Sequence, residues 1–238
     1  MVQLSATTLT RRHGLACALL LLALPWAPQQ AQEGDAERWD RVFRRVESTQ
    51  VHGAATFPVY CVQRLLSEEK LAKGAAVLVI AMGDGRNAVP IAQQGLAVTG
   101  LDISTVALEK AQQAAEQHGV KLNTVQADMY EHDLGDGRWD LVTNIYYNPA
   151  IKIFDKIKAA VRPGGFLLVE GFGSDHQQGP PAWSRYRPNQ LLDELAGWRI
   201  LEYQDGVFES DWSGGEPAPV VRVLAQKPVP VMKTEGGR

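Results

Sequence analysis

Six consecutive residues, Gly83-Asp84-Gly85-Arg86-Asn87-Ala88, carry the first chemical signal in this sequence. They fit the pattern G-x-G-x-x-[GA] and follow the apolar run "VLVIAM". Glycines there allow a tight turn and let backbone N–H groups approach a ligand. The same turn also serves as a plain connection from strand to helix. Asp102 stands seventeen residues beyond Gly85, at the end of the next apolar run. A carboxylate in that place can accept hydrogen bonds from both hydroxyls of a ribose. Its plainer role is to cap the helix that begins near Ser104. After the third run comes "QADMYEHD". There the Asp128 carboxylate can accept from an adenine amino group, and the Met129 amide can donate to a ring nitrogen. A simple turn aspartate fits Asp128 equally well. The fourth run ends in "TNIYYNP", which brings Asn144, Tyr146 and Tyr147 toward the same edge. For the tyrosines, a place in the core competes with contact to a substrate.

These residues form one site only if the elements between them stack side by side. "AAVLVIAM" is continuously apolar, as a strand buried on both faces must be. "RNAVPIAQQG" then reads as a helix stopped by Gly95, and "LAVTGLDI" as the next strand. "STVALEKAQQAAEQHG" is a helix capped by Ser104 or Thr105 and stopped by Gly119. "VKLNTVQA", "WDLVTNIYY" and "FLLVEGF" are further strands, with the helix "NPAIKIFDKIKAAV" before the last. This alternation implies βαβ units, a mostly parallel sheet and helices on both faces. The end of the chain breaks the pattern. After the helix "RPNQLLDELAG", only "DWSGGE" separates "WRILEYQDGVFES" from "PAPVVRVLAQKP", which leaves room for a hairpin but not for a helical crossover. Ahead of the sheet, "EGDAERWDRVFRRVES" puts Trp39, Val42, Phe43 and Val46 on one helical face, and "FPVYCVQRLLSEEKLA" reads as a second helix.

The chain has 238 residues and a net charge of −3, enough for one domain with a full core. That charge creates no field to gather nucleic acid, so a nucleic-acid partner is not expected. Arg11, Arg12 and His13 precede the apolar stretch Gly14 to Ala27, and no acidic residue occurs before Glu33. The pattern predicts a signal peptide over residues 1–32 and export, to the periplasm of a bacterium; a cytoplasmic protein is expected if the segment does not act as a signal. The apolar stretch is short for a membrane span, and no span is expected after its removal. The domain is expected over 33–228, followed by a flexible tail over 229–238. Without the signal, Cys61 is the sole cysteine, so no internal disulfide forms.

"VLVIAMGDGRNAVPIAQQGLAVTGLDISTVALEKA" resembles the S-adenosylmethionine-dependent methyltransferases of the Rossmann-like class. Within them it is similar to the branch of tellurite-resistance and thiopurine methyltransferases, whose members read approximately "VLDLGCGEGRNAV…VTGVDIS". "VRPGGFLLVEGF" and "RPNQLLDELAGWRILEYQD" extend the likeness to most of the chain. The resemblance implies an α/β fold: a Rossmann-like seven-stranded, mostly parallel sheet with helices on both faces and a C-terminal antiparallel hairpin. It implies S-adenosylmethionine as cofactor, with Gly83 and Gly85 at its methionine end, Asp102 on the ribose, and Ile103, Asp128 and Met129 around the adenine. Asn144 would face the methionine and the transferring methyl. The chain departs from the family at two positions. Val79 stands where an acid is usual, and Ala81 where glycine is usual. Loss of one charged hydrogen bond is worth about 1.5–3 kcal/mol, so binding is expected to persist but to be weak.

Methyl transfer is a displacement at a sulfonium methyl, and it depends on alignment and exclusion of water. The expected acceptor is a small molecule with a soft nucleophile, a thiol or a chalcogen oxyanion. An alcohol or amine acceptor would need a base, for which Tyr146, Tyr147, Glu170 and His176 are the candidates; spacing fixes none of them. No metal site is expected. Two other readings stay open: a degenerate, non-catalytic binding protein on this fold, and a nicotinamide-dependent oxidoreductase, since G-x-G-x-x-A also suits a dinucleotide.

Overall fold

The computed structural model describes residues 34–46, 56–175, 181–210 and 216–230. The expected signal segment lies outside them, as do residues 231–238 of the expected tail. Two helices come first, α1 (Asp35–Arg44) and α2 (Phe57–Ser67). The alternation then runs β1 (Ala76–Ile80), α3 (Ala88–Gln93), β2 (Ala97–Asp102), α4 (Thr105–Gln117), β3 (Leu122–Gln126) and β4 (Trp139–Ile145). A 3₁₀ turn over Asn148–Ile153 leads into α5 (Phe154–Ala160) and β5 (Val161–Phe172). The chain closes with α6 (Gln190–Glu194), β6 (Arg199–Glu209) and β7 (Pro217–Gln226).

The seven strands form one sheet in the order β3-β2-β1-β4-β5-β7-β6. The first five pair in parallel, as short strands joined by helical crossovers must. β7 slots between β5 and β6 and runs antiparallel to both. The hairpin read from the sequence is therefore present, with its second strand on the inside. β1 occupies the centre of the five parallel strands. Its side chains alternate between two cores, as the two-residue period of a strand requires. Val77 and Val79 pack with residues of α2, α3 and α4. Leu78 and Ile80 pack on the other face with residues of α5 and α6. Burying each such side chain contributes about 1.5–3 kcal/mol, which accounts for the wholly apolar sequence of β1 here.

Local signals place the helix ends. The Ser104 hydroxyl accepts from the Ala107 N–H at 3.1 Å and starts α4. Pro90 sits in the first turn of α3, where a missing N–H removes no helical bond. The expected helix over residues 148–161 begins as a 3₁₀ turn with Pro149 in its first turn, so α5 is shorter than the sequence pattern suggested. Cys61 is fully buried, and burial pushes its thiol far above the ordinary range, which leaves it inert. Among the described residues, no helix is long and apolar enough to cross a membrane.

Candidate functional site

A cavity of about 680 Å³ opens beyond the carboxyl ends of β1 to β4. Ligands bind at this edge in open α/β sheets, and the volume is that of a small-ligand site. The turn after β1 forms its floor, Asp102 and Ile103 one wall, and Asp128 and Met129 another. Tyr146 and Tyr147 close the far end. α1 forms the roof through Trp39, Val42 and Phe43, with Val46 just beyond its end. No residue of α1 is buried, so its apolar face looks onto this cavity rather than into a core.

The glycine turn divides its labour. Gly83 lines the cavity with φ +62°, and a Cβ there would stand 3.2 Å from the Phe43 ring. Gly85 has φ +87°, and a Cβ there would meet the Ala111 Cβ at 2.9 Å. Gly85 thus lets α4 approach the turn, and it is not among the residues that line the cavity. Ala81 also takes a left-handed conformation, φ +48°. For an alanine this costs about 1–2 kcal/mol, a strain that glycine would not carry. Val79 is 2% exposed and stands beside Thr143 on β4, whose hydroxyl makes no hydrogen bond among the described residues.

Asp102 holds the corner between the first two strands. One carboxylate oxygen accepts from the Gly83 N–H at 2.7 Å, and the other from the Ser104 N–H at 2.9 Å. Burial raises its pKa, while the N–H bonds of Ser104 and Gly83 work the other way. The carboxylate both shapes the glycine turn and lines the cavity. Asp40 of α1 completes the corner. Its oxygen accepts from the Ser104 hydroxyl at 2.6 Å and from the Val106 N–H at 3.2 Å, tying α1 to the start of α4. The Ser104 hydroxyl is the chief cause that holds the Asp40 carboxyl below its usual range. The sequence offers no local sign of this role, since Ser104 lies 64 residues away.

The third strand end makes a turn and also reaches the cavity. Asp128 accepts from the Tyr130 N–H at 2.8 Å, an ordinary turn bond, and lines the cavity as well. The Met129 carbonyl accepts from Lys156 at 2.9 Å, which fixes the turn on α5.

The fourth and fifth strand ends depart from expectation. Asn144 is 1% exposed and absent from the cavity lining. Its amide donates to the Tyr147 carbonyl at 3.1 Å and to the Tyr186 hydroxyl at 3.4 Å, so it braces the turn instead of facing a ligand. Glu170, a candidate base, is 1% exposed and also lies outside the lining. Arg222 stands opposite it across the β5–β7 ladder and reaches its carboxylate at 2.8 Å. Held in that pair and outside the cavity lining, Glu170 serves to join β5 to β7. Tyr146 donates its hydroxyl to Glu170 at 2.7 Å and shares a 2.8 Å bond with Ser210. Its backbone is left-handed, φ +57°, and its ring lines the cavity. Tyr147 packs edge-on to Trp39 at 6.2 Å, and burial pushes its phenol above the ordinary range, which keeps it protonated. His176 lies outside the described residues.

Residues 77–165 match the family model described as "Methyltransferase domain". A ribosomal protein L11 methyltransferase of Cupriavidus pinatubonensis is 32% identical over 173 residues, 70% of this chain and 56% of that protein. The chain spans about half the length of the curated relatives it matches. Among solved structures, TehB from Haemophilus influenzae superposes with a TM-score of 0.57 at 18% identity, over 79% of this chain and 67% of that one. Magnesium protoporphyrin IX methyltransferase from Synechocystis, solved with bound SAH, gives 0.56 at 17% identity, over 82% and 88% of the two chains. Residues 77–165 thus resemble a methyltransferase domain in sequence, and the chain shares its fold with these two solved proteins.

Proposed function

We propose that this protein is an S-adenosylmethionine-dependent methyltransferase whose acceptor is a small molecule with a soft nucleophile, a thiol or a chalcogen oxyanion. One observation carries the reading. A single cavity joins a glycine turn after β1, an acid after β2 and an acid after β3, the three features a nucleoside with an amino-acid tail requires. The residues fit that group: a volume of about 680 Å³, a close backbone approach at Gly83, and apolar walls at Ile103 and Met129. Asp102 and Asp128 would accept from the ribose hydroxyls and the adenine amino group. The cofactor, when bound, supplies an electrophilic methyl group. The chain's own part is to hold both partners in line and exclude water, the latter through Trp39 and Phe43 of α1.

The choice of a soft acceptor follows from the fate of the candidate bases. Glu170 is paired with Arg222, Tyr146 donates to Glu170, and Tyr147 keeps its proton. A thiolate or an oxyanion arrives already deprotonated and needs none of them. Calorimetry with S-adenosylmethionine, followed by an acceptor screen, tests the proposal. The screen compares small thiols, tellurite and selenite with nucleic acids and with ribosomal protein L11, on which the matched relatives act by name. Methylation of the small acceptors alone is the expected result. Methylation of nucleic acid or protein with none of small molecules overturns it. The strained Ala81 and the apolar Val79 favour one second reading, a binding protein on this fold without transferase activity; calorimetric binding without transfer to any acceptor would establish it. Export rests on the N-terminal segment alone, and N-terminal sequencing of protein from the native host tests it. Loss of about the first 30 residues is expected; an intact Met1 in a cytoplasmic fraction rules export out.

A further inference from the structure

Two polar side chains on the glycine turn stand out for the bonds they lack among the described residues. Asp84 is 7% exposed and lines the cavity, yet its carboxylate has no ion pair or hydrogen bond among the described residues. Asn87 is 6% exposed and lines the same stretch. It stands at the N-cap of α3, where an asparagine ordinarily accepts from a helix N–H, but it makes no cap bond. Its Oδ1 is buried without a partner among the described residues.

The other buried or half-buried carboxylates around this edge are all occupied. Asp102 accepts two backbone N–H groups, Asp40 accepts from Ser104 and Val106, and Glu170 is paired with Arg222. A charge taken out of water without a partner is costly, and proteins retain one where a ligand completes it. The missing partner must be a cation with hydrogen-bond donors, because Asp84 and the Asn87 Oδ1 are both acceptors. One carboxylate and one amide are too few ligands for a hard metal ion. Among the described residues, no group of three or more acidic, histidine or cysteine side chains could hold a metal. An ammonium group meets the requirement, with three donors on one positive centre. Arg86, of opposite sign, lines the cavity between them.

We infer that Asp84 and Asn87 hold the α-ammonium group at the amino-acid end of the cofactor, in place of the acid that position 79 lacks. The inference rests on the methyltransferase reading and names the residues that compensate for its weakest point. Val79 is apolar and buried, so it offers the ammonium nothing. Asp84 lies five residues further along, on the turn itself, and returns a carboxylate to the same end of the cavity.

Calorimetry of the full chain with two ligands tests this. S-adenosylhomocysteine carries the amino-acid end; 5′-methylthioadenosine keeps the nucleoside and the thioether and lacks that end. The parent should bind S-adenosylhomocysteine about tenfold more tightly or better, the ratio that one charge-assisted hydrogen bond supplies. Asp84→Asn and Asn87→Ala should each bring the two affinities closer, and together they should make them nearly equal, with methylthioadenosine binding unchanged. Asp84→Glu should keep most of the preference. Thermal unfolding without ligand gives an independent readout. Asp84→Asn should melt at or above the parent, because it removes a carboxylate that no described residue pairs. A preference that survives the double substitution overturns the inference, and so does a clear fall in the melting temperature of Asp84→Asn. A parent that binds both ligands equally also overturns it while leaving the nucleoside site intact. A parent that binds neither ligand overturns the methyltransferase reading along with it.

Discussion

The turns after β1 and β2 sit side by side on one cavity and are built in opposite ways. After β2, every polar group has a structural partner. Asp102 bonds the Gly83 and Ser104 N–H groups, Ser104 caps α4, and Asp40 bonds Ser104 from the roof helix. After β1, Ala81 is held in a left-handed conformation, Asp84 is buried beside the cavity, and the Asn87 Oδ1 is buried with no partner among the described residues. A saturated corner stores its energy in the fold and changes little when a ligand arrives. An unsatisfied corner holds energy that only a ligand can release. The difference separates residues that support the site from residues that wait for its contents, although both kinds touch the same space.

The largest expected effect breaks the saturated corner. Asp102→Ala leaves two backbone N–H groups without acceptors, and each such loss costs about 1–3 kcal/mol. Urea unfolding should show a stability loss of about 3 kcal/mol, and nucleoside binding should weaken with it. An unchanged unfolding midpoint would show that the corner is not structural.

The second test rebuilds the other corner. Val79→Asp with Ala81→Gly restores the family's residues, and the Thr143 hydroxyl beside position 79 can donate to the new carboxylate. Affinity for S-adenosylmethionine should rise by less than the roughly tenfold worth of one charged hydrogen bond, because Asp84 and Asn87 already offer acceptors to the ammonium. Calorimetry measures this. A full tenfold gain would mean that the turn does not meet the need without position 79.

Asp40 provides a smaller and pH-dependent test. Asp40→Ala should cost about 1 kcal/mol at neutral pH, the usual worth of a capping side chain. The folded pKa lies below the ordinary value of 3.8, so the contribution is complete above that value. It is lost as the pH falls through the folded value. Thermal midpoints of parent and variant should therefore differ at pH 7 and converge in strong acid. A constant difference would remove the charge from the explanation. Ala81→Gly alone should give the smallest change, a gain of about 0.5–1 kcal/mol by relief of the left-handed alanine, less the entropy that glycine adds to the unfolded chain.

The sequence revealed what depends on short-range pattern. The apolar runs at β1, β4 and β5 mark buried strands, and the glycine turn and the two strand-end acids fall where one cavity collects them. It concealed what depends on distant pairing. Glu170 read as a base because its partner, Arg222, is 52 residues away and meets it only through the antiparallel register of β7. Asn144 read as a ligand contact because its bonds run to Tyr186 and to a carbonyl of its own turn. The apolar stripe of α1 was plain, but a stripe does not say whether it faces a core or an opening. Asp84 and Asn87 were inside the quoted motif from the start. Their importance lies in bonds they do not make, and no pattern of residues can show that.

The roof helix has a consequence for how this protein can be observed. Trp39 stands on α1 against the cavity, edge-on to Tyr147 and 6.2 Å from Phe43. Whatever fills the space beneath it replaces solvent at one face of the indole and changes what that ring emits. The chain thus carries an optical gauge at the mouth of its own chamber, and occupancy can be followed by light without a label.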